Sequence, residues 1–311
     1  MKKLFIASIL SIASLGAFAQ SKVYFTKEIT PESLVKIYKA LGVKAKGKVA
    51  VKISTGESSR TYYLRPEFIE PLVKKVKGTI VECNTAYEGS RSNTESHMRA
   101  IAERGFDKIA KVDIMDSEGD MKIPVADSTW IKYDIVGSHL ANYNFMINLA
   151  HFKGHQMGGF GGVLKNASIG VASKSGKANI HSAGKSDRNP WGNNNQDSFT
   201  ESMATAAQAV HNYFNGKVLY INVMNNMSID CDCNGNPQEP RLADVGILAS
   251  TDPVALDKAC LDIIFNHTDK PGDDARPLQG RIKQLHGEHI VEHAEKIGLG
   301  TTNYTIIDLD K

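Results

Sequence analysis

Gly47-Lys48-Val49-Ala50-Val51-Lys52-Ile53, then Arg65-Pro66-Glu67-Phe68-Ile69-Glu70-Pro71-Leu72-Val73-Lys74-Lys75-Val76, then Gly78-Thr79-Ile80-Val81-Glu82-Cys83 reads as a strand, a helix and a second strand. Short β-branched runs bounded by glycine, with a helix of ten or so residues between them, are the mark of a βαβ unit and a parallel sheet. The alternation extends both ways. Upstream, residues 31–41 carry Leu34, Ile37, Tyr38 and Leu41 at helical spacing, behind Thr30 as N-cap and Pro31 at the first helical position. Downstream, 94–104 is a helix closed by Gly105, 144–150 a buried strand, and 200–214 a helix. Strands follow at 218–223 and 245–249, then helices at 253–265 and, rich in histidine, near 281–297, and a last strand at 304–309. The expected fold is α/β, with a mixed, mostly parallel sheet flanked by helices. A cleft at 151–191 leaves open a division into two lobes.

The chain has 311 residues, with 37 Lys+Arg against 34 Asp+Glu. Met1-Lys2-Lys3, the apolar run 4–15 and Ala17-Phe18-Ala19 form the three parts of a secretory signal peptide, with cleavage expected after Ala19. Residues 20–311 are then a single exported domain, periplasmic or secreted, of charge 35 minus 34, or +1. No later run is long enough to span a bilayer. That near-neutral charge speaks against a nucleic-acid partner relying on phosphate neutralisation. Four cysteines do not make a disulfide scaffold of a chain this size. Cys231 and Cys233 are read as too close for an unstrained disulfide, and nothing pairs Cys83 with Cys260.

Chemistry concentrates in 151–191, which holds eight glycines. From His151 through Ser186 there are five lysines, three histidines and no carboxylate. Lysines without acidic neighbours suit an anionic ligand, glycines let backbone approach it, and histidine exchanges protons or binds metal near neutral pH. Lys165 is expected to have a depressed pKa because its charged neighbours are all positive. Ligand crevices in α/β sheets lie beyond the carboxyl ends of strands, where this loop begins. Arg91 and His97 follow the strand ending at Cys83, and Lys52 closes its neighbour, so both belong to the same edge. Lys52, Arg91, Lys153 and Asn166 are expected to hold a small carboxylate-type anion. The acidic stretch 227–257, with Asp230-Cys231-Asp232-Cys233, offers carboxylates and sulfurs that could face the basic loop. It fails the EF-hand spacing because Arg241 stands where the closing glutamate belongs. His286, His289 and His293 read as a polar helix face rather than a metal site.

Nearly all of 20–311 resembles the bacterial and archaeal family catalogued as domain of unknown function 362. The likeness rests on Tyr62-Tyr63-Leu64-Arg65-Pro66, Asn84-Thr85 with Arg91 and His97, Gly154-His155-Gln156-Met157 with 158–166, Asp230-Cys231-Asp232-Cys233, Asp252-Pro253-Val254-Ala255-Leu256-Asp257 and Gly298-Leu299-Gly300. Many relatives carry a ferredoxin-like insert with Cys-x-x-Cys repeats. This chain has none, so no iron–sulfur cluster is expected. The loop is also similar to the N-terminal-domain loop of nickel-pincer lactate racemases, in the spacing of His155, Lys165 and His181. That likeness implies Lys165 as cofactor or anion anchor, His181 as metal ligand, His155 as acid or base and His97 as the opposing base. Asn166-Ala167 replaces the racemases' Leu-Pro-Gly turn, and export separates the chain from cytosolic cofactor synthesis, so the pincer nucleotide itself is not expected. The expectation is an enzyme of metal-assisted acid–base chemistry, isomerase- or racemase-like. A divalent ion would sit on His181 with Asp230, Cys231, Asp232 and Cys233, and His155, His97 and Lys165 would be catalytic. The rival is a non-catalytic ligand-binding or redox accessory protein. Oligomeric state is left open.

Overall fold

A computed structural model describes residues 20–192 and 195–311; the expected leader, 1–19, lies outside them. The elements in chain order are β1 (Ser21–Thr26), α1 (Pro31–Ala40), β2 (Val49–Lys52), α2 (Pro66–Val76), β3 (Thr79–Glu82), α3 (Thr94–Arg104), α4 (Phe106–Ile109) and β4 (Val112–Ile114). Then come β5 (Asp120–Ile123), β6 (Asp134–Gly137), β7 (Phe145–His151), β8 (Lys153–His155), β9 (Gly159–Gly161), α5 (Val163–Ala167), α6 (Lys174–His181) and α7 (Gln196–Tyr213). The chain closes with β10 (Val218–Met224), β11 (Gly246–Ser250), α8 (Pro253–Phe265), α9 (Arg276–Gln284), α10 (His289–Lys296) and β12 (Tyr304–Asp308).

Eight strands form one sheet in the order β12-β1-β11-β10-β7-β2-β3-β4, with only β11 running against the rest. The mixed, mostly parallel α/β fold follows from the strands' side-chain alternation. In β7, Phe145, Ile147 and Leu149 join one core while Met146 and Ala150 join the other. A strand buried on both faces is largely apolar, and helices must cover each face. The core containing Leu34, Ile37, Leu72, Ile101 and Phe106 lies under α1–α4; the other, with Leu164, Ile180, Met203, Val254 and Val291, lies under α5–α8 and α10. Thr30 caps α1 by accepting the Ser33 amide, as its position predicts.

Two regions differ from the sequence reading. The glycine-rich stretch is not a loop but two short hairpin strands and two helices, α5 and α6, whose Val163, Leu164, Ala167 and Ile180 are core. Helices of five and eight residues show too few turns for periodicity to register. The histidine-rich helix is two helices. His286 adopts a left-handed φ of 47° after α9, and Gly287 then packs on the backbone of Gly158 and Gly159. Among the described residues, no helix is long and apolar enough to cross a membrane.

Candidate functional site

From β2 the chain steps outward to β3 and β4; from β7 it steps the other way, to β10. The order therefore reverses between β2 and β7, and a crevice opens beyond their carboxyl ends. Lys52 ends β2, Glu82 ends β3 and His151 ends β7. All three line a cavity of about 270 Å3, together with Lys153, His155, Lys165, Lys177, His181 and the Cys231–Cys233 turn.

The floor is held by buried polar contacts between strands. Asn166 donates to the Lys52 carbonyl (3.1 Å) and to Asn148 Oδ1 (2.7 Å), and accepts from Lys52 Nζ (3.1 Å). Asp257, on α8, accepts the amides of Val163 (3.0 Å) and Leu164 (2.9 Å), which seats α5 and hence Lys165. Gly162 is required there, because a Cβ would lie 2.3 Å from Asp257 Oδ1. Gly154 is required for the same reason, since its Cβ would lie 2.2 Å from the Ile229 carbonyl oxygen. That contact brings the 228–233 loop against β8, where the Gly154 amide donates to the Ser228 carbonyl.

Four lysines line this cavity, and three have partners. Lys52 donates to the Ile53 carbonyl and Asn166, Lys153 to the His151 carbonyl (2.8 Å) and Asp232 (3.0 Å), and Lys177 to the Ala172 carbonyl. Among the described residues, the Lys165 amine makes no hydrogen bond or ion pair. Burial, with the positive charges of Lys153, Lys52 and Arg91, lowers its pKa to about 7; burial brings Lys52 to about 8. The depression expected for Lys165 is thus present. Its first cause is burial rather than neighbouring charge, and Lys52 and Arg91, from other strands and loops, act beside Lys153.

Nδ1 of His155 accepts the amides of Met157 (3.2 Å) and Gly158 (2.8 Å), so the ring proton sits on Nε2. Burial and the nearby Lys165 hold its pKa well below the usual range, making it a neutral donor. His181 stacks on Phe199 at 4.6 Å between centroids, and burial, with Lys165 and Lys177, takes its pKa to about 3. His97 does not line the cavity. It is fully buried behind Glu82, its Nε2 lying 3.7 Å from Glu82 Oε2 and its Nδ1 3.3 Å from Asn84 Oδ1. The group facing the cavity in its stead is Glu82. Burial alone would raise its pKa, but Arg91, Lys52 and His97 outweigh that and hold it at about 2. Arg91 also lines the cavity, yet it is engaged by Glu57 (3.1 Å), Glu82 (3.4 Å) and the Tyr87 hydroxyl (3.0 Å), so it is no open anion clamp. Sequence reading missed Glu57 and Glu82. A carboxylate ending an otherwise apolar strand beside Lys52 was the available signal for Glu82.

The 230–233 loop does face the basic segment. Asp232 pairs with Lys153 and with His151 Nδ1 (3.1 Å), and its pKa is driven far down despite burial. Asp230 accepts the Gln238 amide (3.1 Å) and lies 3.7 Å from Arg281. Cys231 and Cys233 are joined in a disulfide, against the sequence expectation: the turn sets their Cα atoms 5.2 Å apart, within the span a disulfide bridges. Cys83 and Cys260 are buried free thiols.

His155, Cys231 and Cys233 place possible ligand atoms within 4.8 Å of one another, residue types that can hold a metal ion. His181, the expected ligand, is not of that group. In this oxidised form the group does not fit an ion, because the sulfurs are bonded to each other and the Nε2 of His155 carries its proton. Asp230 and Asp232 are engaged by other residues. At the end of the chain His286, in the turn after α9, pairs with Asp197, while on α10 His289 pairs with Glu201 and Glu292 and the buried His293 with Asp127, so the three do not share the one polar helix face expected of them.

The chain belongs to the family described as domain of unknown function (DUF362), which it matches over residues 49–262. No curated protein matches it. Among solved structures, it is similar to the lactate racemase apoprotein from Thermoanaerobacterium thermosaccharolyticum, at 15% identity and a TM-score of 0.45, over 78% of this chain and 56% of that one. It is also similar to a Thermotoga maritima protein solved by a structural genomics consortium, at 13% identity and a TM-score of 0.40, over 62% and 49% of the two chains. The chain spans about half the length of each.

Proposed function

We propose that the protein is an exported enzyme that binds a small carboxylate-bearing anion in this cavity and moves a proton on it. The observation that carries the reading is Lys165, an amine without a hydrogen-bond or ion-pair partner among the described residues and with a pKa of about 7, in one cavity with the neutral ring of His155. An amine with that pKa is divided between its two forms at neutral pH. It attracts a carboxylate when protonated and accepts a proton when not, which matches the requirement of a general base to titrate near the working pH. His155, held as an Nε2–H donor, can stabilise negative charge developing on a carbonyl or enolate oxygen without itself carrying a charge. Lys52 and Lys177 keep the wall positive, and a volume of about 270 Å3 suits a small hydroxy or keto acid. No step in this reading passes through a metal ion. Export rests on the leader; cleavage after Ala19 would leave β1 whole, since it begins at Ser21.

Incubating residues 20–311 in D2O with small 2-hydroxy and 2-keto carboxylates tests the reading, with proton NMR following the hydrogen next to the carboxylate. At least one compound should lose that signal in a protein-dependent manner and raise the melting temperature. Stabilisation without exchange would make the protein a ligand-binding protein rather than an enzyme. Neither effect with any compound would refute both readings.

A further inference from the structure

The Cys231–Cys233 bridge does not behave as a structural staple. The stabilisation a disulfide gives by restricting the unfolded chain grows with the loop it closes, and this one spans a sequence separation of 2. The turn is held in any case by backbone bonds, from the Asn234 amide to the Cys231 carbonyl (2.9 Å) and from the Glu57 amide to the Asp232 carbonyl (2.7 Å). The bridge lines the anion cavity rather than the core. Its two sulfurs are also unequal. Cys231 is buried, and its sulfur accepts the Cys233 amide at 3.2 Å, whereas Cys233 is half-buried. A ring nitrogen of His155 lies within 4.8 Å of both sulfurs.

We propose that Cys231–Cys233 is a redox-active pair that undergoes thiol–disulfide exchange with a small carboxylate-bearing thiol admitted to the cavity. The incoming thiolate attacks the more accessible Sγ of Cys233. The S–S bond breaks, its electron pair leaves on Cys231 Sγ, and the Cys233 amide already points at that sulfur to stabilise the charge. A leaving thiolate so stabilised is the favoured one in exchange. A second molecule of the thiol then attacks the sulfur of the first, releasing their disulfide and the Cys233 thiolate. Both thiolates take up protons. Two electrons and two protons pass from two thiols to the protein, which ends as a dithiol. Asp230 and Asp232 do not oppose an anion here, because Lys153, His151 and Arg281 lie against them, while Lys165 stays unpaired in the same cavity. Cys83 and Cys260 take no part: Cys83 donates its S–H to the Val171 carbonyl at 3.2 Å, and Cys260 is fully buried. The inference relies on the anion-binding part of the proposed function and on none of its proton transfer, so exchange of a C–H hydrogen and reduction of the bridge fail independently.

The test compares thioglycolate, a carboxylate thiol, with cysteamine, an amine thiol, on native protein under anaerobic conditions, followed by alkylation and peptide mass spectrometry. The expected result is two new alkylated cysteines, Cys231 and Cys233, with Cys83 and Cys260 unlabelled. Per thiolate, and normalised to a free model disulfide, thioglycolate should react at least about tenfold faster, the low end of electrostatic attraction into a charged cleft. Cys231→Ser, given the oxidised disulfide of thioglycolate instead, should take up one thioglycolate as a mixed disulfide on Cys233 and release the other as its thiolate. A bridge that yields to neither thiol without denaturant, equal rates for the two, or protein purified in air with four free thiols would each overturn the proposal.

Discussion

Lys165→Met is expected to abolish carboxylate binding while making the protein more stable at pH 6. The first effect follows from removing the one lysine of the cavity that, among the described residues, makes no hydrogen bond or ion pair. A hydrogen bond to a charged group contributes about 1.5–3 kcal/mol, so affinity for a probe such as glycolate should fall by about 10- to 100-fold or more. The second follows from linkage. The pKa of Lys165 falls from 10.5 in the unfolded chain to about 7 in the fold, so between these values the unfolded chain holds more protons and stability rises with pH. Below pH 7 the folded protein carries the full cost of a poorly solvated ammonium, and methionine removes it. The gain should be about 1–2 kcal/mol at pH 6 and shrink towards zero above pH 10. Urea unfolding at pH 6 and pH 9, with calorimetric titration of glycolate, measures both. A variant that binds normally, or is destabilised at both pH values, would contradict the assignment.

Asp257→Ala should be the most damaging single change outside the cavity's own lining. Asp257 is fully buried and accepts three hydrogen bonds, from the Val163 and Leu164 amides and from Asn222 Nδ2 (2.7 Å). Alanine leaves these donors unpaired in a dry site, at a cost of about 3–5 kcal/mol. It also unseats α5, so binding should fall along with stability. Burial raises the Asp257 pKa to about 6, so its folded form holds a proton longer than the unfolded chain does. Stability from this group is therefore present below about pH 4 and declines as pH rises to about 6. The alanine variant should lose that part of the pH dependence. An Asp257→Ala protein unfolding within 1 kcal/mol of the parent would contradict its role as the seat of α5.

The elements legible in the sequence are those whose period repeats for at least two turns or one strand, such as α1, α2, β2, β3 and β7. The hairpin β5–β6 and helices α5 and α6 were not, because each is short and takes its burial from distant partners; Ser173, for example, bonds to Ile135. Much of the site was readable for a similar reason. His155, Lys165 and Asn166 lie in one stretch of chain at the end of a recognisable strand. What could not be read is pairing between segments. Arg91 looks like an anion clamp until Glu57, 34 residues away, occupies its Nε. His97 looks like a base until the fold places Glu82 between it and the cavity. The motif ending at Asp257 was visible, but not that its carboxylate reaches the amides of α5, 93 and 94 residues away.

The state of one amine decides whether this cavity is built for an anion and a proton. Competitive labelling of the native protein with acetic anhydride from pH 5 to 11, read by peptide mass spectrometry, gives the titration of each lysine. Lys165 should titrate near pH 7, well below the roughly 10.4 of a lysine in a model peptide, and shift upward when glycolate saturates the cavity. A Lys165 that titrates with the exposed lysines, unmoved by the carboxylate, would contradict both its burial as a poised amine and the function built on it.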